Sequence, residues 1–288
     1  MSTGEARIVR QGFRGYNGPR RGPRSAITSL FFNTMQRTLG ARRSVWAKLL
    51  PILTIAIAFL PAVVIVGIIA LFPIGVEEIV PAFDEYYGLV GISLLIFSAL
   101  VSPEVLCPDR RSGVISLYLS SPLTPVTYLT GKALGVFAVT GLITLVPPLL
   151  LLFGVSMQGA GPDGFGNFML TVSRMLAAGI ILSVYYGLIS LAISSLTDRK
   201  AFASAGMIML LLATQISVGI LINGLEMPEW LSLFDIFSVP FILVQRIFDS
   251  PREYAEVSAW LYAVAALVWA GAAAGVLYLR YRRTGLSR

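Results

Sequence analysis

Charged residues divide this chain into long uncharged, mostly apolar intervals: Lys48 to Glu77, Glu85 to Glu104, Lys132 to Asp163, Arg174 to Asp198, Lys200 to Glu226 and Glu256 to Arg280. A membrane-spanning helix needs about 20 such residues, so the pattern predicts an all-α integral membrane protein with six transmembrane helices. The first is placed near 49–72 and the third near 131–153. A seventh interval, Arg111 to Lys132, is as long but holds Pro122, Pro125 and a Ser/Thr-rich centre. Such a segment would break a lipid-facing helix, so it is read as a connection.

Outside the spans the periodicity changes. Ile27, Leu30, Phe31, Met35 and Leu39 recur at helical spacing, with Asn33, Gln36, Arg37 and Arg43 on the other side. This predicts an amphipathic helix over 27–47 lying in the membrane interface. Residues 1–26, rich in Gly, Arg and Pro, are expected to be a disordered basic tail, and 48–288 the six-helix membrane domain. Between the fifth and sixth spans, Asn223 to Ser258 contains the apolar pieces Trp230–Phe234 and Phe237–Val244, cut by Pro228, Pro240 and Pro251. Each is too short to span and suits a re-entrant or interfacial helix at the outer face. Pro51, Pro61 and Pro147-Pro148 are read as packing bends. Gly271-Ala-Ala-Ala-Gly275 offers a small face to another helix, of this chain or of a second copy.

Composition agrees: 56% of residues are hydrophobic and 13% charged. Lys and Arg are retained on the cytoplasmic side of membranes. With the N-terminus inside, 19 of the 22 basic residues fall inside and only Arg174, Arg246 and Arg252 outside, while acids such as Glu77, Glu78, Asp84 and Glu85 fall outside. Counting 111–132 as a span would spoil this sorting. Both termini are therefore expected to be cytoplasmic, and the net charge of +7 reflects topology and membrane lipid, with no nucleic acid partner implied. The first 26 residues lack the apolar core of a cleavable signal peptide.

Several chemistries are excluded by residue type. The chain has no histidine, which removes His-Glu-x-x-His metal sites and Ser/His dyads, so no catalytic or metal site is assigned. No Asp or Glu lies in the middle of a span, which disfavours ion-coupled transport. The single Gly-Lys, Gly131-Lys132, has Val126 and Ala133 where a P-loop requires Gly and Ser or Thr. Cys107 is alone and can form no internal disulfide.

The connection carries the remaining signal. Asp109, Arg110, Arg111, Gly113, a short helical piece with Val114, Leu117, Tyr118 and Leu119, then Ser121, Pro122 and Leu123, and finally Tyr128, Gly131 and Lys132 before a span resemble permeases of the type-2 ABC exporter family, with ABCG-like architecture. Many members carry Glu before the basic pair, where this chain has Asp109.

That resemblance implies a permease subunit, not itself an enzyme, whose 109–125 loop couples it to a separate cytoplasmic ATPase. The implied coupling residues are Asp109, Arg110, Arg111, Gly113, Val114, Leu117, Tyr118, Ser121 and Pro122. It further implies two ATPase copies holding ATP and Mg, with no cofactor on this chain, and a second permease subunit, identical or homologous. The implied location is a cell membrane, the plasma membrane of a bacterium. Helices one, two and five would line the pathway, with Gln215, Ser217 and Asn223 as polar candidates near helix five. The loop Thr197–Lys200 is read as a charged hairpin or a second ATPase contact. An autonomous channel or secondary transporter, and a non-transporting membrane anchor, remain open alternatives, and the substrate class is not legible.

Overall fold

A computed structural model describes residues 22–41, 45–72, 81–113, 123–250 and 253–286. They form helices and connections, with no strand among them. A first helix, α1 (Pro23–Thr38), precedes the spans α2 (Val45–Leu71), α3 (Phe83–Arg111), α4 (Pro125–Met157), α5 (Gly164–Leu196) and α6 (Lys200–Gly219, extended by a wide turn to Gly224). A 3-10 helix (Glu229–Phe234) and the short α7 (Val239–Ile247) follow, and α8 (Ala259–Leu286) is the sixth span. The basic tail expected over 1–26 lies almost wholly outside the described residues.

The six spans stand in the expected order, but two boundaries move. Helix α4 starts at Pro125, six residues before the predicted start, because Thr124 caps it: Thr127 N–H donates to Thr124 Oγ1 at 3.2 Å, and Thr124 N–H donates to Thr127 Oγ1 at 2.8 Å. Pro125 then occupies the first helical turn, where a missing N–H costs nothing. At the other boundary α3 runs past Glu104 to Arg111, so Asp109, Arg110 and Arg111 sit on the end of a helix and the connection proper narrows to 112–124. At 33 residues, α4 is about 50 Å long, well beyond a hydrocarbon layer about 30 Å thick.

Spans α3, α4 and α5 form the centre: 67%, 50% and 61% of their most apolar stretches are buried, against 22%, 22% and 17% for α2, α6 and α8. Small residues bring the central helices close. Thr144 Oγ1 on α4 donates to the Gly179 carbonyl on α5 at 2.8 Å, and a Cβ at Gly179 would strike Leu145. Helix α1 lies on the first turns of α4, where a Cβ at Gly135 would come within 2.6 Å of the Thr34 Cβ. By contrast, a Cβ added at Gly271 or Gly275 on α8 would meet nothing from the other described helices within 4 Å.

The segment 229–247 folds back into the bundle. Tyr185 and Tyr186 hydroxyls on α5 donate to the Ile236 and Phe237 carbonyls at 2.8 and 2.6 Å. From α8, Trp269 Nε1 donates to the Leu233 carbonyl at 3.1 Å and Tyr262 pairs with Ser232 at 2.6 Å. On α5, Arg174 pairs with Asp249 at the rim. Tyr185 is eleven residues further along α5, so the dip reaches about 16 Å below that pair. Asp235, buried near its bottom, accepts the Phe237 N–H at 3.0 Å. An acidic side chain thus enters the bundle on the dip although no span carries one at mid-length.

Candidate coupling site

At the end of the bundle that carries α1, one carboxylate gathers four elements. The Asp109 side chain, 6% exposed, receives Arg37 Nη1 from α1 at 2.6 Å and Lys132 Nζ from α4 at 2.7 Å. Tyr128, also on α4, donates its hydroxyl to Asp109 Oδ2 at 2.9 Å. Its ring stacks on Tyr281 of α8 with centroids 6.0 Å apart. Lys132, 1% exposed, donates further to the Val105 carbonyl at 3.4 Å.

The local sequence explains the convergence. Lys132 lies four residues after Tyr128, on the same face of α4, and the early start of that helix puts both beside the end of α3. A buried charge is tolerated only when it is paired and hydrogen-bonded. Here the carboxylate has two cations and a hydroxyl, so the grouping fixes one relative position of α1, α3 and α4. The node therefore grips the chain just before it enters the 112–124 connection and again just after it leaves.

Around the node, Arg110 Nε pairs with Asp198 Oδ1 at 2.8 Å, and Lys200 pairs with Glu104. The hairpin Thr197–Lys200 is thus tied to α3. Cys107 is buried, its Sγ 3.6 and 3.5 Å from the Ser194 and Thr197 carbonyls. At Gly113 the backbone turns left-handed, with φ +68°. Its N–H donates to the Arg110 carbonyl at 3.2 Å, as a helix-terminating glycine does.

The expected coupling residues therefore separate. Asp109 faces inward as an organising group, Arg110 is largely engaged with Asp198, Arg111 is exposed, and Gly113 stops the helix. Val114, Leu117, Tyr118, Ser121 and Pro122 lie outside the described residues. Two participants carried no sequence signal for this role, Arg37, 72 residues from Asp109, and Tyr281 near the other terminus, while Asp198 belongs to the Thr197–Lys200 hairpin that the sequence already singles out, without its partner Arg110. Each is a long-range partner that periodicity cannot pair.

The pathway candidates on α6 are not brought together. Ser217 lines an apolar groove of about 550 Å³ with Thr214, Leu221, Trp230 and Phe234, whereas neither Gln215 nor Asn223 contributes to its lining. The Thr214 hydroxyl is returned to its own helix, at 3.0 Å from the Leu210 carbonyl.

These features define a multi-pass helical membrane protein without strands among its described residues, two of its three central helices, α3 and α4, gripped at the ends of one connection. The family profile described as ABC-2 family transporter protein matches residues 94–286, from the middle of α3 through α8. The chain belongs to that family, whose members are membrane components of ABC transporters. Among curated proteins none matches it.

Proposed function

We propose that this chain is the permease of an ABC exporter, driven by a separate cytoplasmic ATPase that docks on the 112–124 connection. The observation that carries the reading is the Asp109 node. A load applied to that connection meets α3 on one side and α4 on the other, and the buried pairs with Arg37, Lys132 and Tyr128 pass it to α1 and the body of the bundle. The sorting of Lys and Arg supports a cytoplasmic position for this end and for both termini. ATP and Mg would be held by the partner, present in two copies.

A second permease subunit would complete the pathway. Helices α2, α6 and α8 are the spans least covered within the chain, and the groove on α6 adds an apolar wall with a hydroxyl rim. Span α3 is mostly buried, so its share of a pathway is confined to positions such as Leu89 and Ile92, 44% and 57% exposed.

Co-expression with an ABC-type ATPase chain tests this reading. The two should copurify, and Leu117→Glu should abolish copurification while the chain still inserts in the membrane. Persistent failure of the wild-type chain to retain any nucleotide-binding partner would instead favour an autonomous channel or secondary transporter. Stimulation of ATP hydrolysis in the reconstituted complex by drugs, lipids, peptides or saccharides would then name the substrate class.

A further inference from the structure

Span α3 is interrupted where it approaches the node. Its α-helical part ends at Ile96, a π-turn covers Phe97–Val101, a 3-10 turn covers Ser102–Glu104, and α-helix resumes at Cys107. Pro103 accounts for the break. It has no N–H, and its ring crowds the carbonyl four residues back, that of Ala99, so the helix widens. Ser102 N–H then reaches the Phe97 carbonyl, five residues back. A wide turn would next pair the Ser98 carbonyl with the N–H of residue 103, which proline lacks. That buried acceptor is met from another helix: Ser190 Oγ on α5 donates to it at 2.6 Å. The hydroxyls of Ser98 and Ser102 are themselves buried and find no partner among the described residues.

The two parts of α3 are anchored at different levels of the bundle, α2 holding only the first and α1 and α4 only the second by side-chain hydrogen bonds or ion pairs among the described residues. Before the break, Tyr86 donates to the Ala58 carbonyl of α2 at 2.7 Å and Tyr87 to the Met175 carbonyl of α5 at 2.9 Å. Beyond it, Cys107, Asp109 and Arg110 attach to the last turn of α5, to α1, to the start of α4 and to the turn between α5 and α6. A helix held at both ends by separate contacts, with irregular turns between, kinks most readily at those turns.

We propose that Phe97–Glu104 is a flexure latched by Ser190, through which the end of α3 bearing the connection moves against its membrane part. Bending shifts the wide turn along the helix, releases Ser190 from the Ser98 carbonyl and lets the Ser98 and Ser102 hydroxyls find acceptors. Pro103 creates the joint and Ser190 is its positioning residue. The source of the force rests on the permease reading; the existence of the joint does not.

Amide hydrogen exchange on the full chain in lipid nanodiscs tests the joint directly. Amides of 98–106 should exchange at least about tenfold faster than those of 86–96. Pro103→Ala should slow them by a similar factor, Ser190→Ala should speed them, and Ser190→Thr, which keeps the hydroxyl, should restore the wild-type rate. Rates within about twofold of wild type in both Pro103→Ala and Ser190→Ala would overturn the proposal. In the complex with the ATPase, trapping with Mg-ATP and orthovanadate should change exchange at 98–106 in the wild type and not in Pro103→Ala. A trapped wild-type complex with unchanged exchange there would also overturn it. Failure of the complex to form counts against the permease reading alone, since the nanodisc measurement still decides the joint.

Discussion

Removing the charge of Asp109 leaves the Arg37 guanidinium and the Lys132 ammonium, placed 2.6 and 2.7 Å from its oxygens, facing each other where little water enters. Breaking a buried pair in this way costs about 3–5 kcal/mol, whereas replacing charges by apolar groups of similar volume recovers part of the loss. Asp109→Asn should therefore lower the melting temperature sharply in detergent, and adding Lys132→Met should raise it again; equal melting of Asp109→Asn and wild type would show that the node does not hold the fold. Gly113 poses a different problem. A side chain in its left-handed conformation, φ +68°, costs about 1–2 kcal/mol, so Gly113→Val should destabilise the end of α3 whether or not a partner docks nearby. Loss of ATPase binding in Leu117→Glu is the cleaner sign of docking, because Gly113 already has a local reason to be glycine.

The packing of α1 on α4 can be checked as an element. The Leu30 Cβ lies 3.3 Å from where a Cβ on Gly131 would stand, close to the range of about 3.5–4.5 Å found in disulfides. Leu30→Cys with Gly131→Cys, in a Cys107→Ser background, should cross-link on mild oxidation. Adding Gly135→Leu, which wedges Thr34 away, should prevent it. None of this closeness was legible in the sequence, where Gly131 stood out as part of a Gly-Lys pair and of the family-like run before a span, neither of which points to Leu30. The spacing of charges found six spans because lipid tolerates few charges, yet it misplaced two ends because it treats every charge as a boundary with water. Lys132 is paired inside the protein and Glu104 is tied to Lys200 at its surface, so α3 and α4 run through them. Pro125 was read as a helix breaker because its position in the first turn depends on the Thr124 cap. Pro103 sat unremarked inside a clean interval, although it alone interrupts the helix it occupies.

The least covered spans, α2, α6 and α8, leave broad apolar faces, with Leu60, Leu267 and Val268 at 64%, 73% and 60% exposure. Lipid satisfies such faces, but the open positions Gly271 and Gly275 allow a closer neighbour. Gly271→Leu with Gly275→Leu should leave melting of the single chain unchanged and abolish self-association, read by single-molecule photobleaching in lipid; retained dimers would place the contact elsewhere. Reagent-accessible cysteines at 111 and 163 should label from opposite sides of the membrane, which fixes the orientation. The dip at 229–247 bears on how the molecule is made. Carbonyls along it are met by Tyr185 and Tyr186 of α5, already synthesised when the dip emerges, and by Trp269 of α8, which is not. Exposed backbone groups are costly in lipid, so the dip must wait in an aqueous or chaperoned setting until the last helix enters, and a chain cut before α8 should be degraded rather than stored half built.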